Sequence, residues 1–285
     1  MRTTGSTPLD PRKPEYVVVG NPIAHSRSPE IHQAFARQFG RTISYERVLL
    51  EKGQLPEFAD DFFAQGGLGM NVTVPFKVEA YDYAASTDPM ATAAHAVNTL
   101  AASTSGGPKG YNTDGIGLCA DLEQRYGVKL AGAKIVILGA GGATAGVIQP
   151  LLAANPQALI IANRTLSTAQ HLVALHTSPS GMRTDLHACG LDQLSGDFDL
   201  VINATSIGLS GVNIEFDPGL VSGAFCYDMS YGRAATFAGW ASANGASESV
   251  DGLGMLVEQA AQSFFLWTGL RPETNPVCAQ LRSAV

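Results

Sequence analysis

The chain has 285 residues, 45% of them hydrophobic and 15% charged, with a net charge of −7. That length exceeds the usual single domain, so two domains are expected, each with apolar residues enough for its own core. An acidic balance without a basic stretch argues against nucleic acid or an anionic membrane as the main partner, and no apolar run is long enough to span a bilayer. Four isolated cysteines with no C-x-x-C pair fit reduced thiols in a cytosol. Six histidines without an H-x₃-H or mixed Cys/His set predict no metal. Residues 1–14 carry charges and prolines but no hydrophobic core, which reads as a flexible lead-in rather than a signal peptide.

Residues 16–19 are a first buried strand, closed by Gly20-Asn21-Pro22. Ser28 before Pro29 reads as an N-cap with proline in the first helical turn, and Ile31, Phe35 and Phe39 give that helix one apolar face up to Gly40. Capping accounts for Ser28 but not for Ser26. A strand over 43–50 and a helix over 55–63 follow. In residues 68–74 apolar side chains alternate, which places Asn71 and Thr73 together on the opposite face. Lys77 then stands in the first turn of a helix, where the positive dipole end disfavours it by about 0.3–1 kcal/mol. Either it is a solvated surface group or the misfit marks a role.

A short strand over 96–100 and a Ser/Gly-rich stretch lead into Gly110-Tyr111-Asn112-Thr113-Asp114-Gly115. Asp114 precedes a helix over 116–126, so an N-cap carboxylate is as good a local reading as a functional one. The polar residues 127–132 then mark a domain boundary.

From residue 133 onward β and α segments alternate: strands over 134–138, 159–162, 199–203 and 225–229, with helices over 142–154 and 166–175. Parallel strands joined by crossover helices predict a doubly wound sheet with ligands at the strand C-termini. The stretch Lys134-Ile135-Val136-Ile137-Leu138-Gly139-Ala140-Gly141-Gly142-Ala143-Thr144 is a buried strand, a glycine turn and a helix start, which aims backbone N–H groups at one spot suited to a pyrophosphate. Thr144 occupies the third small position, where its hydroxyl could itself reach a phosphate oxygen. The second strand ends at Asn163-Arg164-Thr165. A carboxylate there would hold both ribose hydroxyls of NAD, whereas a guanidinium can grip a 2′-phosphate, which points to NADP; the alternative is a solvated loop arginine. Asp251-Gly252-Leu253-Gly254 opens a long helix with Leu253, Leu256, Val257, Ala260 and Phe264 on one face and Gln259 one turn beyond Met255.

Taken together, N-P-I-A-H-S-x-S-P, N-V-T-V-P-F-K, A-V-N-T-L, N-T-D-G, G-A-G-G-A-x, N-R-T, N-A-T-S-x-G, Y-D-M and D-G-L-G-M-L-V-x-Q-A, in this order from Val17 to about Cys278, resemble shikimate dehydrogenase. The resemblance implies an NADP-dependent interconversion of 3-dehydroshikimate and shikimate in aromatic amino-acid biosynthesis, by a monomer or homodimer in the cytoplasm. It implies an α/β fold of two domains: a substrate domain of residues 15–115 plus 255–285, and a Rossmann-type NADP domain of residues 116–254. Lys77 and Asp114 match the family's catalytic pair. Ser26, Ser28, Asn71, Thr73, Asn98 and Gln259 match its substrate-binding set. Gly139, Ala140, Gly141, Gly142 and Ala143 with Asn163, Arg164 and Thr165 match its NADP contacts; Thr205, Met229, Tyr231, Gly252 and Met255 are expected to complete the cofactor site.

Two departures stand out. Thr168 falls in the segment after N-R-T where many members carry a second basic residue, which weakens the expected NADP preference. His95, just before A-V-N-T, stands where a glycine is commoner, which slightly perturbs the expected turn near Asn98. The chemistry agrees with the resemblance: reducing a ketone by hydride requires a proton donor at the developing alkoxide, and an ammonium supplies it. A neighbouring Asp114 carboxylate would orient Lys77 and favour its charged form. The other readings are a quinate/shikimate dehydrogenase with relaxed substrate or cofactor choice, another NADP reductase on the same scaffold, and a non-catalytic nucleotide sensor.

Overall fold

The computed structural model describes residues 15–104, 106–176, 184–205 and 216–283. Two compact units emerge from it. The first takes the described residues up to Thr113 together with Ala260–Val277; the second takes Asp114–Gln259 together with those from Cys278 onward. The expected boundaries, 115/116 and 254/255, differ from this at the C-terminal side. The chain changes unit inside two helices, and no loop or composition shift announces such a change. The lead-in expected over residues 1–14 lies outside the described residues.

The first unit contains β1 (Glu15–Gly20), α1 (Ser28–Gln38), β2 (Ser44–Leu49), α2 (Leu55–Ala64), β3 (Gly69–Val72), α3 (Lys77–Tyr83), β4 (Ser86–Thr87), α4 (Pro89–Ala94), β5 (Thr99–Ala101) and β6 (Lys109–Tyr111). Its six-stranded sheet runs β2-β1-β3-β5-β6-β4. The β1 strand is parallel to both β2 and β3, while β5 runs antiparallel to β3 and β6. Val17, Val19, Leu55, Phe62, Met70, Val72, Phe76 and Leu100 form the core. The alternation read over 68–74 runs past the end of the strand, and Thr73 lies beyond it. The β3 strand stops at Val72 with all four of its residues buried, as an interior strand covered on both faces requires, and Val74 beyond it is 67% exposed. His95 ends α4 in the left-handed region (φ 47°, ψ 39°), the conformation that favours glycine.

The second unit begins with α5 (Asp114–Ala120), which passes into a single π-helical turn, Asp121–Arg125, where a regular helix was expected. There follow β7 (Lys134–Leu138), α6 (Gly142–Ala153), β8 (Ala158–Asn163), α7 (Leu166–His176), β9 (Asp185–Gly190), β10 (Leu200–Asn203), β11 (Phe225–Asp228), α8 (Thr236–Ala243) and β12 (Glu248–Asp251). Two helices, α9 (Leu253–Thr268) and α10 (Asn275–Ser283), complete the chain. The sheet is wholly parallel, in the order β12-β11-β10-β7-β8-β9. Strand order therefore reverses between β7 and β10, the place where doubly wound sheets open a crevice for ligand.

The unbroken apolar run of β7 follows from burial on two sides. Ile135 and Ile137 pack with Val147, Ile148 and Leu151 on one face; Val136 and Leu138 pack with Val221, Phe237 and Ala241 on the other. The edge strand β9 (Asp-Leu-His-Ala-Cys-Gly) has only two buried residues, so it carried too little apolar pattern to be expected from the sequence. No helix among the described residues is long and apolar enough to cross a membrane.

Candidate active site

The glycine turn after β7 lies at the switch point. Gly139 adopts φ 103°, which only glycine takes without strain, and a Cβ there would press on Thr205 and the Ala204 carbonyl at 3.1–3.2 Å. Its N–H donates to Ala162 O (2.7 Å), which ties the turn to the end of β8. Gly141 precedes α6 with no side-chain cap, and around Gly141 and Gly142 a Cβ would meet nothing within 4 Å. The start of α6 is thus uncapped by a side chain and has room beside its glycines, an arrangement suited to a phosphate. Thr144 does not take part as expected. Its side chain is fully buried and its hydroxyl donates to Gly139 O (2.8 Å), so it shapes the turn from inside.

At the end of β8, Asn163 Nδ2 donates to Thr165 O (2.9 Å), and this closes the loop and leaves the Arg164 side chain exposed. Thr168, one turn into α7, is also exposed. At the end of β10, Thr205 donates both its N–H and its hydroxyl to Asn203 Oδ1 (3.1 and 2.6 Å). Asn203 Nδ2 in turn donates to Asp228 Oδ1 (3.1 Å), and Asp228 also accepts N–H groups from Ser230 and Phe237. Burial pushes the Asp228 carboxyl up, and these donors pull against it. Neither Asn203 nor Asp228 was singled out from sequence, yet they set the loops after two adjacent strands. Residues 206–208 of the N-A-T-S-I-G stretch lie outside the described residues.

Met229, Tyr231, Gly252 and Met255 converge within this unit. The Met229 N–H donates to Asn203 O (2.9 Å), and Gly252 N–H donates to Ser230 O (2.8 Å). Gly252 is required by close approach, since a Cβ there would run into the Met229 carbonyl. Tyr231 precedes a short 3₁₀ turn, Gly232–Ala234, and is half-buried. Met255, three residues into α9, is buried. Gln259, one turn further, is half-buried and donates Nε2 to Leu256 O (2.9 Å); it groups with this unit rather than with the substrate unit where it was expected. Asp114 opens α5 and is 6% exposed.

In the first unit, two backbone bonds staple the loop after β1 to the segment after β3: Thr73 N–H to Val19 O and Asn21 N–H to Val74 O, both 3.0 Å. The capping expected of Ser28 is not found, since the N-cap position falls on Arg27. Ser28 is already helical and caps nothing; Ser26 Oγ accepts the Ser28 N–H (3.3 Å) and donates to Ser28 Oγ (3.2 Å). Beneath them lies a buried polar network. Tyr45 Oη donates to Asn71 Oδ1 (2.6 Å), and Asn71 Nδ2 reaches Asn98 O, Thr99 Oγ1 and Ser263 Oγ at 3.1–3.3 Å. Asn98 Oδ1 accepts from Thr113 N–H (3.0 Å) and Thr99 Oγ1 (2.9 Å), while its Nδ2 donates to Thr113 Oγ1 (2.9 Å). Asn71 and Asn98 are therefore joined, with both amides held in one orientation.

Burial raises the Tyr45 phenol well above its ordinary value, opposed by the Ser28 hydroxyl, and lowers the stacked His32 to about 3. Lys77 is the first residue of α3 and half-buried, and its carbonyl accepts the Val97 N–H (2.8 Å), which fixes it next to the Asn98 segment. Thr73 is half-buried beside Gly20, whose Cβ would overlap the Thr73 methyl. Tyr45 and Ser263 had no signal in the sequence, because isolated hydroxyls in apolar segments have no period of their own; Thr99 and Thr113 lay within the A-V-N-T-L and N-T-D-G motifs without being singled out.

Family comparisons point one way. Residues 18–100 match the substrate binding domain of shikimate dehydrogenase, residues 121–210 match the shikimate / quinate 5-dehydrogenase model, and residues 252–282 match the shikimate 5′-dehydrogenase C-terminal domain. The chain is 49% identical to the shikimate dehydrogenase (NADP(+)) of Alkalilimnicola ehrlichii, over 94% of this chain and 98% of that one. Among solved structures it resembles an Ael1 enzyme from Pseudomonas putida (TM-score 0.87, 36% identity, 94% and 98% covered). It also resembles the shikimate 5-dehydrogenase of Thermus thermophilus in complex with NADP(H) and shikimate (TM-score 0.80, 28% identity, 95% and 100% covered).

Proposed function

The chain belongs to the shikimate dehydrogenase family, and from that premise we propose that it reversibly reduces 3-dehydroshikimate to shikimate with NADPH, a step toward chorismate and the aromatic amino acids. The observation that carries this reading is the turn at the switch point of the second unit. There the uncapped start of α6, the open space at Gly141 and Gly142, and exposed Arg164 with no carboxylate in Asn163-Arg164-Thr165 fit a pyrophosphate and a 2′-phosphate. Gly139, Ala140, Gly141, Gly142, Ala143, Asn163, Arg164, Thr165 and Thr205 would hold NADP, with Met229, Tyr231, Gly252 and Met255 at its nicotinamide end. When bound, NADPH supplies the hydride.

The protein supplies the proton and the orientation. Lys77 acts as acid–base catalyst: its ammonium donates to the carbonyl oxygen in reduction. Asp114 is its partner. Ser26 and Ser28 donate to the ring carboxylate, and Asn71, Thr73, Asn98 and Gln259 hold the ring hydroxyls, for which hydroxyl and amide groups are suited in both donor and acceptor senses. The four cysteines are free thiols, in keeping with a reducing cytosol, where the enzyme acts as a monomer or homodimer.

The test is NADPH formation from shikimate and NADP, run beside quinate and beside NAD. Turnover confined to shikimate with NADP supports the reading. Comparable turnover with quinate or NAD makes the chain a quinate/shikimate dehydrogenase of relaxed choice, which the lone Arg164 and exposed Thr168 would then explain. Lys77→Ala is expected to lower turnover by roughly 10²–10⁴-fold with NADP binding intact; near-normal turnover overturns the assignment of Lys77.

A further inference from the structure

Four side chains of the second unit close a ring on the first turn of α9. Tyr227, fully buried in β11, donates its hydroxyl to Asp121 Oδ2 (2.7 Å) and accepts the Met255 N–H (3.2 Å). That N–H is one of those a helix start leaves without an intrahelical acceptor, so a tyrosine performs a cap that a Ser or Asp usually supplies. Asp121, completely buried in the π-helical turn, takes Arg125 Nε on its other oxygen (2.6 Å), and Arg125 Nη2 reaches Glu258 Oε1 on α9 (3.0 Å). Gly254 completes the arrangement, because a Cβ there would occupy the space of the Asp121 carboxylate. The negative charge of Asp121 decides which way the phenol points: its proton goes to the carboxylate, which leaves a lone pair for Met255.

We propose that Tyr227 and Asp121 are positioning residues for hydride transfer, holding the Gly252–Met255 turn against the nicotinamide by capping α9 from the strand beside it. The proposal rests on the functional reading above, which puts Met229, Gly252 and Met255 at that end of the cofactor. A phenylalanine would fill the Tyr227 volume equally well, so the hydroxyl is there for its two hydrogen bonds. The same turn is braced by Gly252 N–H on Ser230 O, which ties the Met229–Tyr231 loop to the residue before α9.

The experiment uses the full-length enzyme and its Tyr227→Phe, Asp121→Asn and Gly254→Ala variants. Readouts are steady-state kinetics, the primary deuterium isotope effect with shikimate labelled at the carbinol carbon, and amide hydrogen exchange over the first turn of α9. Expected are a fall in kcat on the order of 10–100-fold, an isotope effect larger than wild type, an unchanged KM for shikimate, and exchange at Met255 roughly tenfold faster from loss of the cap. Wild-type kcat and isotope effect in Tyr227→Phe, with only thermal stability reduced, overturn the proposal by making the ring purely structural. If Tyr227→Phe does not fold, Asp121→Asn, which keeps the shape and one acceptor oxygen, carries the same comparison. A wild-type enzyme that binds NADP but does not oxidise shikimate would instead overturn the functional reading, and the exchange measurement would still report whether Tyr227 caps α9.

Discussion

Thr144→Val separates two roles for one hydroxyl. In sequence the Thr144 Oγ1 can be drawn toward a phosphate; in the structure it is fully buried and donates to Gly139 O at 2.8 Å. Valine keeps the shape and removes the donor, leaving a buried carbonyl short of a partner at a cost of about 1–3 kcal/mol. A methyl in place of the hydroxyl recovers up to about 1 kcal/mol of apolar burial, so the net loss is roughly 1–2 kcal/mol. Urea unfolding followed in the second unit should show that loss as a lower midpoint with unchanged slope. The dissociation constant for NADP, measured by calorimetry, should stay within about twofold, because a neutral hydrogen bond to phosphate worth about 1.4 kcal/mol would have changed it tenfold. Thr144→Ser keeps the donor and should lose only the buried methyl, about 1 kcal/mol. A tenfold weaker NADP affinity at unchanged stability would refute the internal role and return the hydroxyl to the phosphate.

Arg164→Ala should raise the KM for NADP by about 10–100-fold, the worth of one or two charge-assisted hydrogen bonds, and leave the KM for NAD unchanged; equal loss with both cofactors would remove Arg164 from the 2′-phosphate. Tyr45→Phe takes the donor from Asn71 Oδ1, so it should cost about 1–3 kcal/mol of stability and raise the KM for shikimate while that for NADP holds. An effect on NADP alone would contradict the placement of Asn71. His32 gives a pH dependence: burial holds it neutral down to about 3, whereas the unfolded chain protonates it near 6.5. The unfolded state therefore binds the extra proton, and stability is full above pH 6.5 and falls by about 1.4 kcal/mol per unit between 6.5 and 3. His32→Phe, which keeps the stack on Tyr45, should retain about 2 kcal/mol more of its stability than wild type between pH 6.5 and 5; parallel losses in both proteins would show that other groups govern the acid limb.

Much of the site was legible because it depends on backbone geometry that few residues tolerate. A glycine run at the end of an apolar strand leaves little choice but a tight turn into a helix, so Gly139–Gly142 could be located from one sequence, and the uncharged Asn163 with Arg164 gave an expectation of NADP from the sign of charge. Side-chain hydrogen bonds were another matter. Ser26 and Ser28 are two residues apart, and which of them caps and which is helical depends on where α1 begins, a boundary that local sequence leaves open by a residue or two.

Local periods and residue types of restricted dihedral angle were enough to specify the doubly wound sheet, the glycine turn and the family motifs. Which side chains meet was settled by the fold. Asp121, Arg125, Tyr227, Met255 and Glu258 are brought into one ring by a strand, a π-helical turn and a helix far apart in the chain. The division of α9 and α10 between the two units likewise has no mark in the residues that form them. A buried hydroxyl or carboxylate acquires its role from the partner that folding places beside it, and no pattern along the chain encodes that partner.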